Sequence, residues 1–153
     1  MSALPRGRRL GVDVGKVRVG VAISDPDGIL ATPLVTLSRD MGAAADSVPA
    51  DIAGLVQLVG EHEVVQIVVG LPVRLNGAEG AAAIDIRAYS ERLATAVGQV
   101  PIALADERMS TVVATRRLAE RGVRGKRQRA VVDQAAAVEI LQSWLDAQRR
   151  QTK

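Results

Sequence analysis

The chain has 153 residues, the length of one domain, and its 48% hydrophobic and 24% charged residues are the balance of a chain that buries a core rather than staying disordered. It contains no cysteine, so disulfides, a thiol nucleophile and Cys-ligated zinc are excluded; with His62 as the single histidine, histidine-rich metal sites are excluded too, and a Ser-His-Asp triad would need that residue. The net charge is only +3, and Tyr89 and Trp144 are too few rings for a protein that stacks successive bases on aromatic side chains.

The segment Arg6 to Arg9 is basic, and Asp13 and Lys16 interrupt the apolar stretch after it, so no secretory hydrophobic region fits there. The apolar run Val64 to Val73 is far shorter than the roughly 20 residues that span a bilayer. A cytoplasmic protein with no membrane partner is expected. Leu10, Val12 and Val14 alternate with Gly11, Asp13 and Gly15, and Val17, Val19, Val21 and Ile23 alternate with Arg18, Gly20, Ala22 and Ser24. Both runs have the period of a strand, and Gly15-Lys16 between them predicts a hairpin. A third strand, Ile29 to Leu37, contains Pro33, which cannot donate to a ladder and belongs at a sheet edge.

Helical spacing follows. Gly42 to Ala45 is a loop leading to a helix through Ile52, Leu55, Val56 and Val59. Val64 to Val69 is the β-branched run of a strand covered on both faces. Ile86, Tyr89, Leu93 and Val97 predict a second helix stopped by Gly98, and Val100 to Ala105 a fifth strand. Ser110 or Thr111 is placed to cap a helix running to Gly122, and a last helix carries Ala136, Ala137, Ile140, Leu141, Trp144 and Leu145. The expected fold class is α/β, a five-stranded mixed sheet of three antiparallel strands followed by parallel strands, flanked by helices. One domain is expected over residues 8–147, with 1–7 and 148–153 as loose ends.

Three acidic positions stand out. Asp13 shares its strand face with two glycines, and a carboxylate there needs a partner, an ion or water. Asp106-Glu107 directly follows the fifth strand, where open α/β sheets gather functional groups. Asp133 lies on the same helical face as Ala136, Ala137 and Ile140, in the first turns of the last helix, and the alanines permit close approach to the sheet. Carboxylates without histidine or cysteine suit a hard cation, Mg²⁺ or Mn²⁺, and such a site supports phosphodiester cleavage. From Arg116 to Arg129 there are seven basic residues (Arg116, Arg117, Arg121, Arg124, Lys126, Arg127, Arg129) and one acid, Glu120, a local field suited to a polyphosphate. Gly11 to Val17 is not a P-loop: it has one residue too few between the glycines, lacks Ser or Thr after Lys16, and leads into a strand.

Four blocks carry a family resemblance. Asp13-Val14-Gly15 with Arg18-Val19-Gly20-Val21-Ala22 and Ser24-Asp25 resembles the opening motif of the YqgF family, also called RuvX or Holliday junction resolvase. Val69-Gly70-Leu71-Pro72 with Gly77, then Asp106-Glu107-Arg108-Met109-Ser110-Thr111, then Asp133 to Gln142, resemble its later motifs in order. The resemblance implies a ribonuclease H-like nuclease fold, with processing of the 5′ end of precursor 16S ribosomal RNA in ribosome biogenesis, or cleavage of branched DNA, as the activity. It implies Asp13, Glu107 and Asp133 as catalytic, metal-binding acids, with Asp106 a substitute or neighbouring partner and Ser110 and Thr111 beside them. Lys16, Arg18 and Arg108 fall within the matched motifs as phosphate contacts, and Arg116, Arg117, Arg124, Lys126 and Arg127 extend that basic surface. Expected partners are precursor rRNA or branched DNA, and ribosomal particles, with the protein a monomer or homodimer. The competing readings are a non-catalytic nucleic-acid or ribosome-binding module and an actin-like ATPase; the second needs two lobes, for which this chain is too short.

Overall fold

The computed structural model describes residues 5–44, 46–72, 79–106 and 126–151, and in the last helix the side chains of residues 132–150. Strands β1 (Arg9–Val14), β2 (Arg18–Ser24) and β3 (Ala31–Ser38) come first, then helix α1 (Ala50–His62), strand β4 (Gln66–Leu71), helix α2 (Ala81–Val97), strand β5 (Ile102–Asp106) and helix α3 (Lys126–Gln151). The sheet order is β3-β2-β1-β4-β5. β1 pairs antiparallel with β2, and β2 with β3; β4 lies parallel to both β1 and β5. This is the mixed sheet the alternation predicts, and β3 with its Pro33 is an edge strand. The ladder between β2 and β3 shifts register between Val21 and Ala22, and Ala22 is the residue that faces Pro33.

Alternation sorts the side chains onto two faces. Leu10, Val12, Val14, Val19, Val21, Ile23, Ile67, Val69 and Leu71 pack with α1 and α2 around Ile52, Leu55, Ile86, Tyr89 and Leu93. Ala22, Ala31 and Val68 pack on the other face with Ala136, Ala137, Ile140, Leu141 and Leu145 of α3. That second face is built from small residues. A Cβ added at Gly11 would lie 2.6 Å from Leu141 Cβ and 2.8 Å from the Ala137 carbonyl oxygen, so α3 rests on the β1 backbone itself.

One expectation needs correction. The β1–β2 turn is one residue later than its glycine suggests: the Gly15 amide donates to the Arg18 carbonyl at 2.8 Å, leaving Lys16-Val17 as the loop, and Val17 is 64% exposed instead of opening the inward alternation. Both ends make contacts within the described residues. Gly7 N–H donates to Pro26 O, and Arg9 Nη2 donates to Pro5 O. α3 runs on to Gln151, with Arg149 Nη1 donating to Gly28 O at 2.7 Å. Asp133 lies about two turns along the described part of α3, about 10 Å from Lys126. The helix expected to end at Gly122 falls outside the described residues.

Candidate active site

Asp13 is the last residue of β1 but one, and it takes the parity of Gly11, so its side chain lies on the α3 side of the sheet. Its ladder partner on β2 is Gly20. A Cβ at Gly20 would meet the Asp133 carbonyl oxygen at 2.2 Å, and Asp133 Cβ at 3.1 Å. α3 therefore touches β2 at the residue paired with Asp13, and it does so with Asp133. Both carboxylates are buried. Burying two acids on one side of a sheet is costly unless cations or hydrogen bonds compensate.

Arg18 supplies one such cation. It lies two residues before Gly20, hence on the same face, and its Nε donates to Asp133 Oδ2 at 2.7 Å across 115 positions of sequence. The side chains of Arg18 and Asp133 are 23% and 5% exposed, so this ion pair is shielded from bulk water far more than a surface pair. Gln134 Nε2 donates to Thr36 Oγ1 at 3.1 Å, and Gln142 Oε1 accepts from the Ala31 amide at 2.9 Å, which ties α3 to the edge strand beside Asp133 and again about two turns further along. Lys16 stands exposed at the turn, two residues from Arg18.

Parallel registers carry the site across the sheet. Val12 pairs with Val69 of β4, and Leu71 pairs with Asp106 of β5, so the carboxyl ends of β1, β4 and β5 finish along one edge. Ala105 packs in the α3-side cluster. By alternation Asp106 takes the opposite side, which separates it from Asp13 and Asp133. The structure sets Asp13 and Asp133 on the α3 side of the sheet with Arg18 on Asp133, and Lys16 at the adjoining turn. Glu107, Arg108, Ser110, Thr111, Arg116, Arg117 and Arg124 lie outside the described residues, as do the side chains of Lys126 and Arg127. Among the described residues no group of three or more acids or histidines is placed to hold a metal ion, and no helix is long and apolar enough to cross a membrane.

A second polar cluster was not anticipated. Tyr89 Oη donates to Asp51 Oδ2 at 2.6 Å, and burial together with that neighbouring carboxylate pushes the phenol well above its ordinary pKa. Arg39 lies 5.2 Å from the centre of the Tyr89 ring and forms a two-pronged pair with Asp85. That pairing holds the Asp85 carboxyl below the usual carboxylate range. The signal available in the sequence was Tyr89 itself, because a tyrosine at a core position of a helix requires a partner for its hydroxyl.

Comparison with known proteins gives three findings. Residues 7–147 match the family described as RuvX, Holliday junction resolvase. A protein of Nocardia farcinica named "Putative pre-16S rRNA nuclease" is 54% identical over 141 residues, 92% of this chain and 78% of that one. A Mycobacterium ulcerans protein of the same name is 54% identical over 144 residues, covering 94% and 81%. Among solved structures, "T. thermophilus RuvC in complex with Holliday junction substrate" is similar with a TM-score of 0.51 at 14% identity, over 94% of this chain and 96% of that one. That likeness is one of fold, the ribonuclease H-like α/β sheet.

Proposed function

The chain belongs to the RuvX family, and on that premise we propose that it is a nuclease that hydrolyses phosphodiester bonds of structured nucleic acid, with the 5′ end of precursor 16S rRNA as its substrate. The observation that carries the reading is the seating of Asp133 on Gly20, the ladder partner of Asp13, with Arg18 on Asp133 and Lys16 at the adjoining turn. The choice of rRNA follows the names of the relatives at 54% identity.

The donor set fits a hard divalent cation: two buried carboxylates, one from β1 and one from α3, with no histidine or cysteine beside them. Asp13 and Asp133 would hold Mg²⁺ or Mn²⁺ together with Glu107, the residue that follows Asp106 in the sequence. When bound, such an ion activates water and stabilises the leaving oxygen of the phosphodiester. The remaining work belongs to the chain. Arg18 fixes the rotamer of Asp133 and offsets its charge before substrate arrives. Lys16 meets a phosphate from the exposed turn. Arg108, Arg116, Arg117, Arg124, Lys126 and Arg127 offset backbone charge further along the substrate, which makes binding salt-dependent.

The test is cleavage of a precursor 16S transcript in Mg²⁺. The parent protein shortens its 5′ end, and Asp13→Asn does not; equal rates for the two would place the chemistry elsewhere. A four-way DNA junction is assayed beside it, because the family description favours junctions as a second reading. Preferential junction cutting, by a homodimer with paired sites, would transfer the substrate assignment to branched DNA.

A further inference from the structure

The turn that bears Lys16 is held from behind. Arg39, immediately after β3, donates its amide to Val17 O at 2.8 Å and its Nη1 to Gly15 O at 3.0 Å. One residue therefore grips the chain on both sides of Lys16. The same guanidinium is fixed at its far end. Nη1 and Nη2 donate to the two oxygens of Asp85 on α2, each at 2.9 Å, and the group lies over the Tyr89 ring. Tyr89 is bonded to Asp51, whose Oδ1 accepts from the Asp40 amide at 3.1 Å; Asp40 Oδ2 in turn accepts from Ala50, the first residue of α1. The end of β3, the start of α1 and the first half of α2 thus form one hydrogen-bonded frame, and the β1–β2 turn hangs from it through Arg39.

Two features separate this frame from ordinary surface pairing. The Arg39 side chain is only 9% exposed while Asp85 is 51% exposed, so the acid sits outside and locks a cation that is already enclosed. In addition, the opposite end of the turn is the Arg18–Asp133 pair. The hairpin is clamped by one arginine on each face of the sheet, one from the α3 side and one from the α1/α2 side.

We propose that Arg39 is a positioning residue for the β1–β2 turn: by holding Gly15 and Val17 it sets where Lys16 meets phosphate and how Arg18 meets Asp133. The hold on the turn is read from geometry; its consequence for cleavage rests on the function proposed above. Asp85 keeps Arg39 directed at the turn and away from substrate. The role requires the planar fork, since a lysine ammonium cannot span Gly15 O and both Asp85 oxygens.

Hydrogen–deuterium exchange and cleavage of the precursor transcript, both on the full chain, test this together. In Arg39→Met the peptide covering residues 15–18 exchanges several-fold faster, while β4 (Gln66–Leu71) stays protected. Cleavage falls about tenfold, as for a small displacement of a working group, and Arg39→Lys restores little of it. Combining Arg39→Met with Lys16→Ala costs less than the product of the two single losses, because part of the Arg39 effect runs through Lys16. Asp85→Ala loosens the turn and weakens binding of the transcript.

The proposal is overturned by unchanged exchange at residues 15–18, by losses that multiply in the double variant, or by tighter binding in Asp85→Ala, which would mark Arg39 as a phosphate ligand held in check. A parent protein that neither binds nor cuts the transcript, with the turn still loosened in Arg39→Met, refutes the functional reading and leaves the structural hold standing.

Discussion

The two faces of the sheet are made from different materials. Under α1 and α2 the strands present Leu10, Val12, Val19, Val21, Ile67 and Val69, and the helices answer with Ile52, Leu55 and Leu93. Under α3 they present Gly11, Asp13, Gly20 and Ala22, and the helix answers with Asp133, Ala136 and Ala137. The first face buries large apolar area, the dominant favourable contribution to folding. The second gives up side-chain volume so that a helix can lie on strand backbone and seat an acid on β2 beside Asp13. On the function proposed above, stability and chemistry are separable by face, and substitutions should divide accordingly.

Gly20→Val should have the largest effect. Its first carbon would already lie 2.2 Å from a main-chain oxygen of α3, and main chain cannot rotate away. The helix must move, at a cost of about 1–3 kcal/mol or more, and Asp133 moves with it. Calorimetry should show a lower Tm, and cleavage should vanish in the folded fraction; a variant as active as the parent would mean that contact of α3 with β2 is irrelevant to the site.

Leu55→Ala, on the other face, should destabilise by about 2–5 kcal/mol in denaturant titrations, with kcat per folded molecule unchanged. A specific loss of kcat without loss of stability would dissolve the division between faces. Tyr89→Phe is the intermediate case. It leaves Asp51 a donor short, at a cost of about 1–3 kcal/mol, and the loosened frame should lower the protection of residues 15–18.

Asp25→Ala should matter least, and only far from both faces. Its carboxylate accepts from the amides of Asp27, Ile29 and Leu30 in the β2–β3 turn, which lowers its pKa. The contribution is about 1 kcal/mol or less. It is present above the ordinary carboxylate pKa and lost as pH falls through the lowered one, so parent and variant should converge in Tm under acid conditions.

Much of this architecture is legible from pattern. Alternation around Gly11 and Asp13 yields the strand, its face and the glycine-lined approach, and Pro33 yields the edge. The helical face of Asp133, Ala136 and Ala137 yields the side that meets the sheet. What pattern could not give is distant partnership. The frame of Arg39, Asp51, Asp85 and Tyr89 joins residues 38 and 46 positions apart through polar contacts that leave no periodicity behind. The turn was displaced because Gly15 was read as the loop, when it is the closing pair of the hairpin with Arg18.

The central claim is that Asp13 and Asp133 are halves of one cation site completed by Glu107. Crystals grown with Mn²⁺ and measured at its absorption edge test it most directly. The account predicts an anomalous peak within coordination distance of carboxylate oxygens from all three residues, lost in Asp13→Asn. A peak elsewhere, or coordinates in which the three carboxylates diverge around an occupied ion, would contradict it.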